Sequence, residues 1–115
     1  MSVSESYDLS AMTETRYEPR SYTSSPKAFG KTSRIDWRGT VAGAEVSLAA
    51  AQIQHALAWQ IDQALRTKGE TVKSYCERTH QPYQRTAKML NGSVIMRLED
   101  VAAAALYLGV KPVLA

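Results

Sequence analysis

From Ala44 to Lys68 the chain reads AEVSLAAAQIQHALAWQIDQALRTK, with no proline and no interior glycine. Within it Ile53, Leu57, Ile61, Ala64 and Leu65 recur at three- and four-residue spacing. That spacing predicts one long amphipathic helix. Gly69 follows as a stop that tolerates the left-handed conformation, and Arg66 and Lys68 occupy the last turn, where cations suit the helix dipole. The sequence after it is punctuated closely. Thr71 is an N-cap candidate for a short helix to about Thr79, with Val72, Tyr75, Cys76 and Thr79 facing inward. His80 and Gln81 make a tight break, and Pro82 opens a third helix to Leu90 from a first-turn position where its missing N–H costs nothing. Asn91-Gly92 ends that helix. A last one runs from Leu98 to Leu108, with Leu98, Val101, Ala102, Ala105, Leu106 and Leu108 at helical spacing, stopped by Gly109 and then Pro112.

Composition agrees with an all-α fold. Apolar residues make up 44% of the chain but aromatics only 8%, and alanine supplies much of the difference, which favours helices over sheets. A chain of 115 residues holds at most one compact core. Gln52, Gln54, His55, Gln60 and Asp62 interrupt the longest apolar stretch, so no membrane span is expected. The single cysteine, Cys76, forms no internal disulfide, and the N-terminal MSVSESYDLS lacks the basic start and apolar run of a secretory signal; a cytoplasmic, nucleoid-associated location is expected.

Residues 1–42 read as an irregular N-terminal tail, extended or flexible, and 43–115 as the helical domain. The first forty residues hold thirteen Ser/Thr and five of the nine aromatics, and basic residues alternate with the aromatics: Arg16-Tyr17, Arg20 and Tyr22, Lys27 and Phe29, Lys31, Arg34, Trp37-Arg38. Three uses stay open for such a tail: folding over the domain, entering a DNA groove with Arg34 and Arg38 as the arm, or binding another protein. Leu48, Gln52, His55 and Trp59 form a second, mixed stripe on the long helix, suited to covering the tail's aromatics or to a dimer contact.

The net charge of +3 is unevenly spread. Residues 71–93 carry Lys73, Arg78, Arg85 and Lys88 against Glu77 alone, while the rest of the chain is balanced. A local positive excess on two short helices is what attraction to phosphate requires.

Two short helices joined by a very tight turn and flanked by amphipathic helices form an arrangement that projects one helix into a major groove. Here the sequence resembles the lambda-repressor/Cro-like (XRE-type) helix-turn-helix family. The landmarks run in register without a gap: Leu57, Ile61, Leu65 and Gly69; Thr71, Tyr75 and Cys76; Met89 and Asn91-Gly92; Leu98-Glu99 and Val101; Leu108-Gly109-Val110. The resemblance covers about 54 residues. It implies a bundle of four to five helices that binds double-stranded DNA as a transcription regulator, a repressor of phage or bacterial type acting as a homodimer. It further implies base contacts from Tyr83, Gln84 and Lys88, and phosphate contacts from Thr71, Lys73, Arg85, Asn91 and Ser93. Chemistry agrees: Gln pairs bidentately with adenine, Lys donates to guanine, and Tyr meets a thymine methyl or a phosphate.

The sequence departs from the family at two positions, one in the turn and one in the middle of the third helix. His80 stands where glycine is usual, and histidine visits the left-handed region more readily than most residues. Thr86 stands where an apolar residue is usual, and its hydroxyl needs a partner such as a carbonyl one turn back. The fifth helix common in the family has no counterpart, and the lengthened first helix or the tail is expected to replace it.

No catalytic constellation appears, so an enzyme is not expected, and neither is a cofactor or metal. His55 and His80 are far apart, and Cys76 fits packing rather than nucleophilic chemistry. Phe29-Gly30-Lys31-Thr32 lacks the first glycine and the flanking strand of a phosphate-binding loop. The alternative function is a protein-interaction module, such as an antitoxin or accessory factor, that uses the tail to grip a protein partner.

Overall fold

The computed structural model describes residues 17–39 and 42–112. The part of the expected tail before Tyr17, including Arg16, lies outside the described residues. Those described form an all-helical structure: α1 (Glu45–Lys68), α2 (Val72–Thr79), α3 (Tyr83–Leu90) and α4 (Leu98–Leu108), preceded by 3₁₀ turns at Pro19–Tyr22 and Pro26–Ala28. The helix boundaries lie within a residue of those the sequence predicts, because local signals set them. Thr71 caps α2 in a reciprocal pair with Ser74: the Ser74 N–H donates to Thr71 Oγ1 and the Thr71 N–H to Ser74 Oγ, both at 3.0 Å, which satisfies two orphan donors of the first turn. Gly69 and Gly109 end α1 and α4 in the left-handed conformation. Pro82 is the N-cap of α3 rather than part of its first turn; its backbone is extended and its carbonyl accepts the Thr86 N–H at 3.1 Å.

The core joins Leu57, Ile61 and Leu65 of α1, Tyr75 and Cys76 of α2, Met89 of α3, Ala104 and Leu108 of α4, and Val110. Two expected apolar stripes turn out rotated. On α1 the buried line is Ala51, Gln54, Ala58, Ile61 and Leu65 with His55 and Leu57 beside it, while Ile53 is 38% exposed. Strict four-residue steps drift by about 40° each around a helix with 3.6 residues per turn, so Ile53 has left the core side. On α4 Asp100, Ala104 and Leu108 face inward, and Leu98 and Leu106 are exposed by 85% and 81%.

Gln54 shows why a polar residue occupies the buried line. Its Nε2 donates to the carbonyls of Met89 (2.8 Å) and Val94 (2.9 Å), and its Oε1 accepts the Met96 N–H at 2.8 Å. The segment between α3 and α4 lacks regular structure, so its backbone groups need partners from elsewhere. One buried amide supplies three.

Residues 17–39 also belong to this packing, unlike the extended or flexible tail expected there. Thr23 and Trp37 form an antiparallel bridge, the Ser24 N–H donates to Asp36 O and the Arg38 N–H to Tyr22 O, and the Thr23 hydroxyl donates to Asp36 O. The closed loop delivers Phe29, 1% exposed, against His55 and Trp37 in edge-on contacts with ring centroids 5.3 and 6.4 Å away. Part of the mixed stripe on α1 therefore covers the tail's aromatics, one of the two uses foreseen for it.

Gln54→Leu leaves two carbonyls and one N–H buried without a partner, each worth about 1–3 kcal/mol. Partial hydration lowers the sum, and a loss of roughly 2–4 kcal/mol is expected. Urea unfolding of the variant against the parent measures it, and a difference within experimental scatter would refute the clamp.

Candidate nucleic-acid interface

The turn between α2 and α3 fixes how α3 is presented. His80 adopts φ 58° and ψ 42°, the one non-glycine residue with positive φ among the described residues. Its N–H and that of Gln81 both donate to the Cys76 carbonyl, closing α2 within a single residue. The left-handed conformation foreseen for His80 is thus observed, at a cost of about 1 kcal/mol relative to glycine. Thr86 differs from expectation. It is 1% exposed, and its Oγ1 has no hydrogen-bond partner among the described residues; the hydroxyl that bonds back to a carbonyl one turn earlier is Thr79, onto Tyr75 O at 2.7 Å. Cys76 is buried beside it, and burial pushes its thiol pKa up, which suits packing.

With Thr86 and Met89 inside, α3 turns Gln84 and Lys88 outward; both are exposed and lie one helical turn apart on one face. Tyr83, half exposed, stands beside them with Ala87 and Asn91 on the neighbouring row. Thr71 and Lys73 are exposed at the start of α2. The Thr71 hydroxyl accepts from Ser74 and keeps its own proton free to donate. Asn91 Oδ1 accepts from the Ser93 N–H (2.9 Å) and the Ser93 hydroxyl (2.6 Å). Ser93 therefore has its donor engaged, while the Asn91 amide NH₂ has no partner among the described residues.

Two of the four cations in the basic window are neutralised by acids outside it. Arg78 makes a two-pronged bond to Glu70 at 2.8 and 2.9 Å. Arg85, placed at phosphate by the resemblance, makes another to Asp100, with Nη1–Oδ1 and Nη2–Oδ2 both 2.7 Å. The Asp100 side chain is 6% exposed and that of Arg85 27%. Burial alone pushes the Asp100 carboxyl up. The Arg85 guanidinium and the Arg97 N–H outweigh it and hold the carboxyl below its ordinary value of 3.8. Arg85 is a strut between α3 and α4, and Lys73 and Lys88 are the window's cations without an acidic partner among the described residues.

Residues 17–39, a docked arm, come up to the other flank of α3. A cleft of about 250 Å³ runs between Gly30 and Lys31 on one side and Tyr83, Ala87 and Asn91 on the other, floored by Ala58, Asp62 and Leu65 of α1 and flanked by Val72. Arg34 and Arg38 do not line it. Arg34 borders a separate hollow within the arm, and Arg38 donates to Thr23 O at 3.2 Å. A second groove, of about 340 Å³ and mostly apolar, lies between α1 and α4 with Ile53, Ile95 and Leu98 on its rim. Two features escaped sequence reasoning, the Gln54 clamp and the Arg85–Asp100 strut. A signal existed for the first, since Gln54 falls on the helical row of Ala58, Ile61 and Leu65.

No group of three or more His, Cys, Asp or Glu suited to a metal ion occurs among the described residues, and no described helix is long and apolar enough to cross a membrane. No protein-family model matches the chain, and no match was found among curated proteins or solved structures.

Because the folded-state pKa of Asp100 is depressed, its stabilising effect is fully present above its unfolded value and is lost as pH falls through the folded one. Asp100→Asn strands Arg85. It is expected to cost about 2–3 kcal/mol at neutral pH, the low end for a broken buried pair because Arg85 is partly solvated. The same variant should lose less stability than the parent below about pH 4. Thermal unfolding at neutral and acidic pH checks both signs; parallel curves would exclude Asp100 as the titrating group.

Proposed function

We propose that the chain is a sequence-specific double-stranded DNA-binding regulator with a helix-turn-helix domain of the lambda-repressor/Cro type, α3 being the helix that enters the major groove. It acts as a repressor of phage or bacterial type that occludes a promoter. The observation that carries this reading is the presentation of α3: a one-residue left-handed turn at His80 and a buried Thr86–Met89 side leave Gln84 and Lys88 outward on a single face. Those two residues suit adenine and guanine edges, with Tyr83 flanking them. Thr71, Lys73 and the Asn91 amide supply donors for phosphates on either side, and such contacts set register rather than sequence preference.

The alternative in which the tail grips a protein partner is weakened by the fate of its aromatics. Phe29 is buried in the chain's own packing, and Trp37 is half-buried against His55 with ring centroids 5.7 Å apart. Neither is free to anchor a partner without undocking the arm.

Selection of bound duplexes from a random-sequence pool should return a consensus. Against it, Gln84→Ala and Lys88→Ala are each expected to lose about 1–3 kcal/mol and to relax preference at one position. Recovery of a consensus that both variants bind with parental affinity and preference would remove α3 as the reading element.

Paired half-sites call for a homodimer, and the apolar groove between α1 and α4 supports one. Leu98, 85% exposed, projects at its edge, and Ile95 is 54% exposed, so knob and hole lie together on one surface, as a twofold contact requires. Leu98→Asp is expected to shift the sedimentation of the protein from dimer to monomer at micromolar concentration while its helical circular dichroism is retained. A parent protein that sediments as a monomer both free and on selected DNA would dismiss the contact.

A further inference from the structure

The arm is fixed by its backbone to the turn that follows α3 and to α1. The Arg20 N–H donates to Gly92 O at 3.0 Å, and the Gly30 N–H donates to His55 Nδ1 at 2.8 Å. Gly30 has φ +74°, and a Cβ built there would lie 2.5 Å from the Leu90 carbonyl oxygen and 2.9 Å from the Ala58 Cβ. Gly92, at φ +82°, leaves equally little room against Phe29 and Arg20. Lys31 follows Gly30 directly, so it is held beside the end of α3 rather than carried on a tether. Its side chain is exposed, has no acidic partner among the described residues, and borders the cleft whose far wall is Tyr83, Ala87 and Asn91. The one carboxylate in that cleft, Asp62, is paired with Arg66 at 2.8 Å.

A helix about 10–12 Å across nearly fills a major groove about 12 Å wide, so rows of phosphates run along both of its flanks. On one flank of α3 the cation, Arg85, is spent on Asp100. On the other stand the Lys31 ammonium and the Asn91 amide NH₂, both without a partner among the described residues. We infer that the docked arm is part of the nucleic-acid surface, with Lys31 and the Asn91 amide together holding one backbone phosphate alongside α3. This rests on the reading of α3 as a groove-binding helix and assigns the contact to Lys31, not to Arg34 or Arg38.

The test uses the full chain and a mixed-sequence duplex of about 20 base pairs, titrated across salt, because a phosphate contact carries no base preference. Lys31→Gln is expected to lower the slope of log affinity against log salt by about 0.9, so that affinity falls roughly three- to fourfold less between about 50 and 200 mM salt. Lys111→Gln, at an exposed residue that does not line the cleft, should change nothing. A thermal melt identical to the parent's establishes that the exposed Lys31 position leaves the fold intact. An unchanged slope in Lys31→Gln alongside a reduced one in Lys73→Gln overturns the inference and spares the reading of the helix-turn-helix. Unchanged slopes in both overturn the inference together with the reading beneath it.

Discussion

The segment that links α3 to α4 is held against α1 through one buried amide. The run from Asn91 to Arg97 connects α3 to α4 with no hydrogen-bonded ladder of its own, and Gln54 of α1 takes up its Val94 carbonyl and Met96 N–H together with the last buried carbonyl of α3, at Met89. The exchange fixes the end of α3 against α1 and brings α4 to the distance at which Asp100 meets Arg85. It also determines where Gly92 lies, and Gly92 O is the acceptor on which the arm docks. An apolar side chain at position 54 would fill the same volume and support none of this, because the groups it faces are polar and would lose their partner.

The charge pattern takes on a different meaning in three dimensions. Along the sequence, residues 71–93 form a window of +3. In space Glu70 and Asp100, both just outside that window, each bind one of its arginines through two hydrogen bonds. Arginine's planar fork matches a carboxylate, whereas lysine is a point charge on a flexible stem. The window divides its cations accordingly: Arg85 braces α3 against α4, Arg78 ties α2 to Glu70 in the turn before it, and Lys73 and Lys88 remain at the surface. The Glu70–Arg78 pair is exposed and contributes little to stability, but it still withdraws charge from the face that would meet phosphate.

What the sequence made legible was whatever depends on neighbours within a turn or two. Capping at Thr71, the left-handed stops at Gly69 and Gly109, the break at His80 and the apolar rows of α2 all act over a few residues, and the helix limits followed to within one position. The rows of α1 and α4 were legible in period but not in phase. A four-residue step places Ile53 on the same row as Leu57 just as well as a three-residue step places Gln54 there, and hydrophobicity favoured the wrong one. Contacts between residues 25 to 42 apart, such as Gly30 with His55 and Gln54 with Met96, leave no periodic trace. The outward face of Gln84 and Lys88, for which base contacts are proposed, was singled out only through the resemblance, as solvent-facing polar positions look alike from sequence.

The arm shows how a segment of tail-like composition becomes part of a domain. Pro19 and Pro26 each open a short 3₁₀ turn, and the Thr23–Trp37 bridge and its side bonds satisfy further backbone groups locally, so that Phe29 is offered to α1 at little further cost in backbone order. His55 completes the seat in its neutral form: Nδ1 accepts the Gly30 N–H, which requires that nitrogen to be unprotonated, and burial pulls the imidazole pKa down although the Thr32 backbone acts the other way. Gly92 then has two duties. It ends α3, and its missing side chain is the space that Phe29 and Arg20 occupy. A larger residue there would tilt the end of α3 or expel the arm, and either movement would carry Asn91 away from Lys31. The arm and the outward face of α3 are therefore one mechanical unit, and their residues cannot be varied independently.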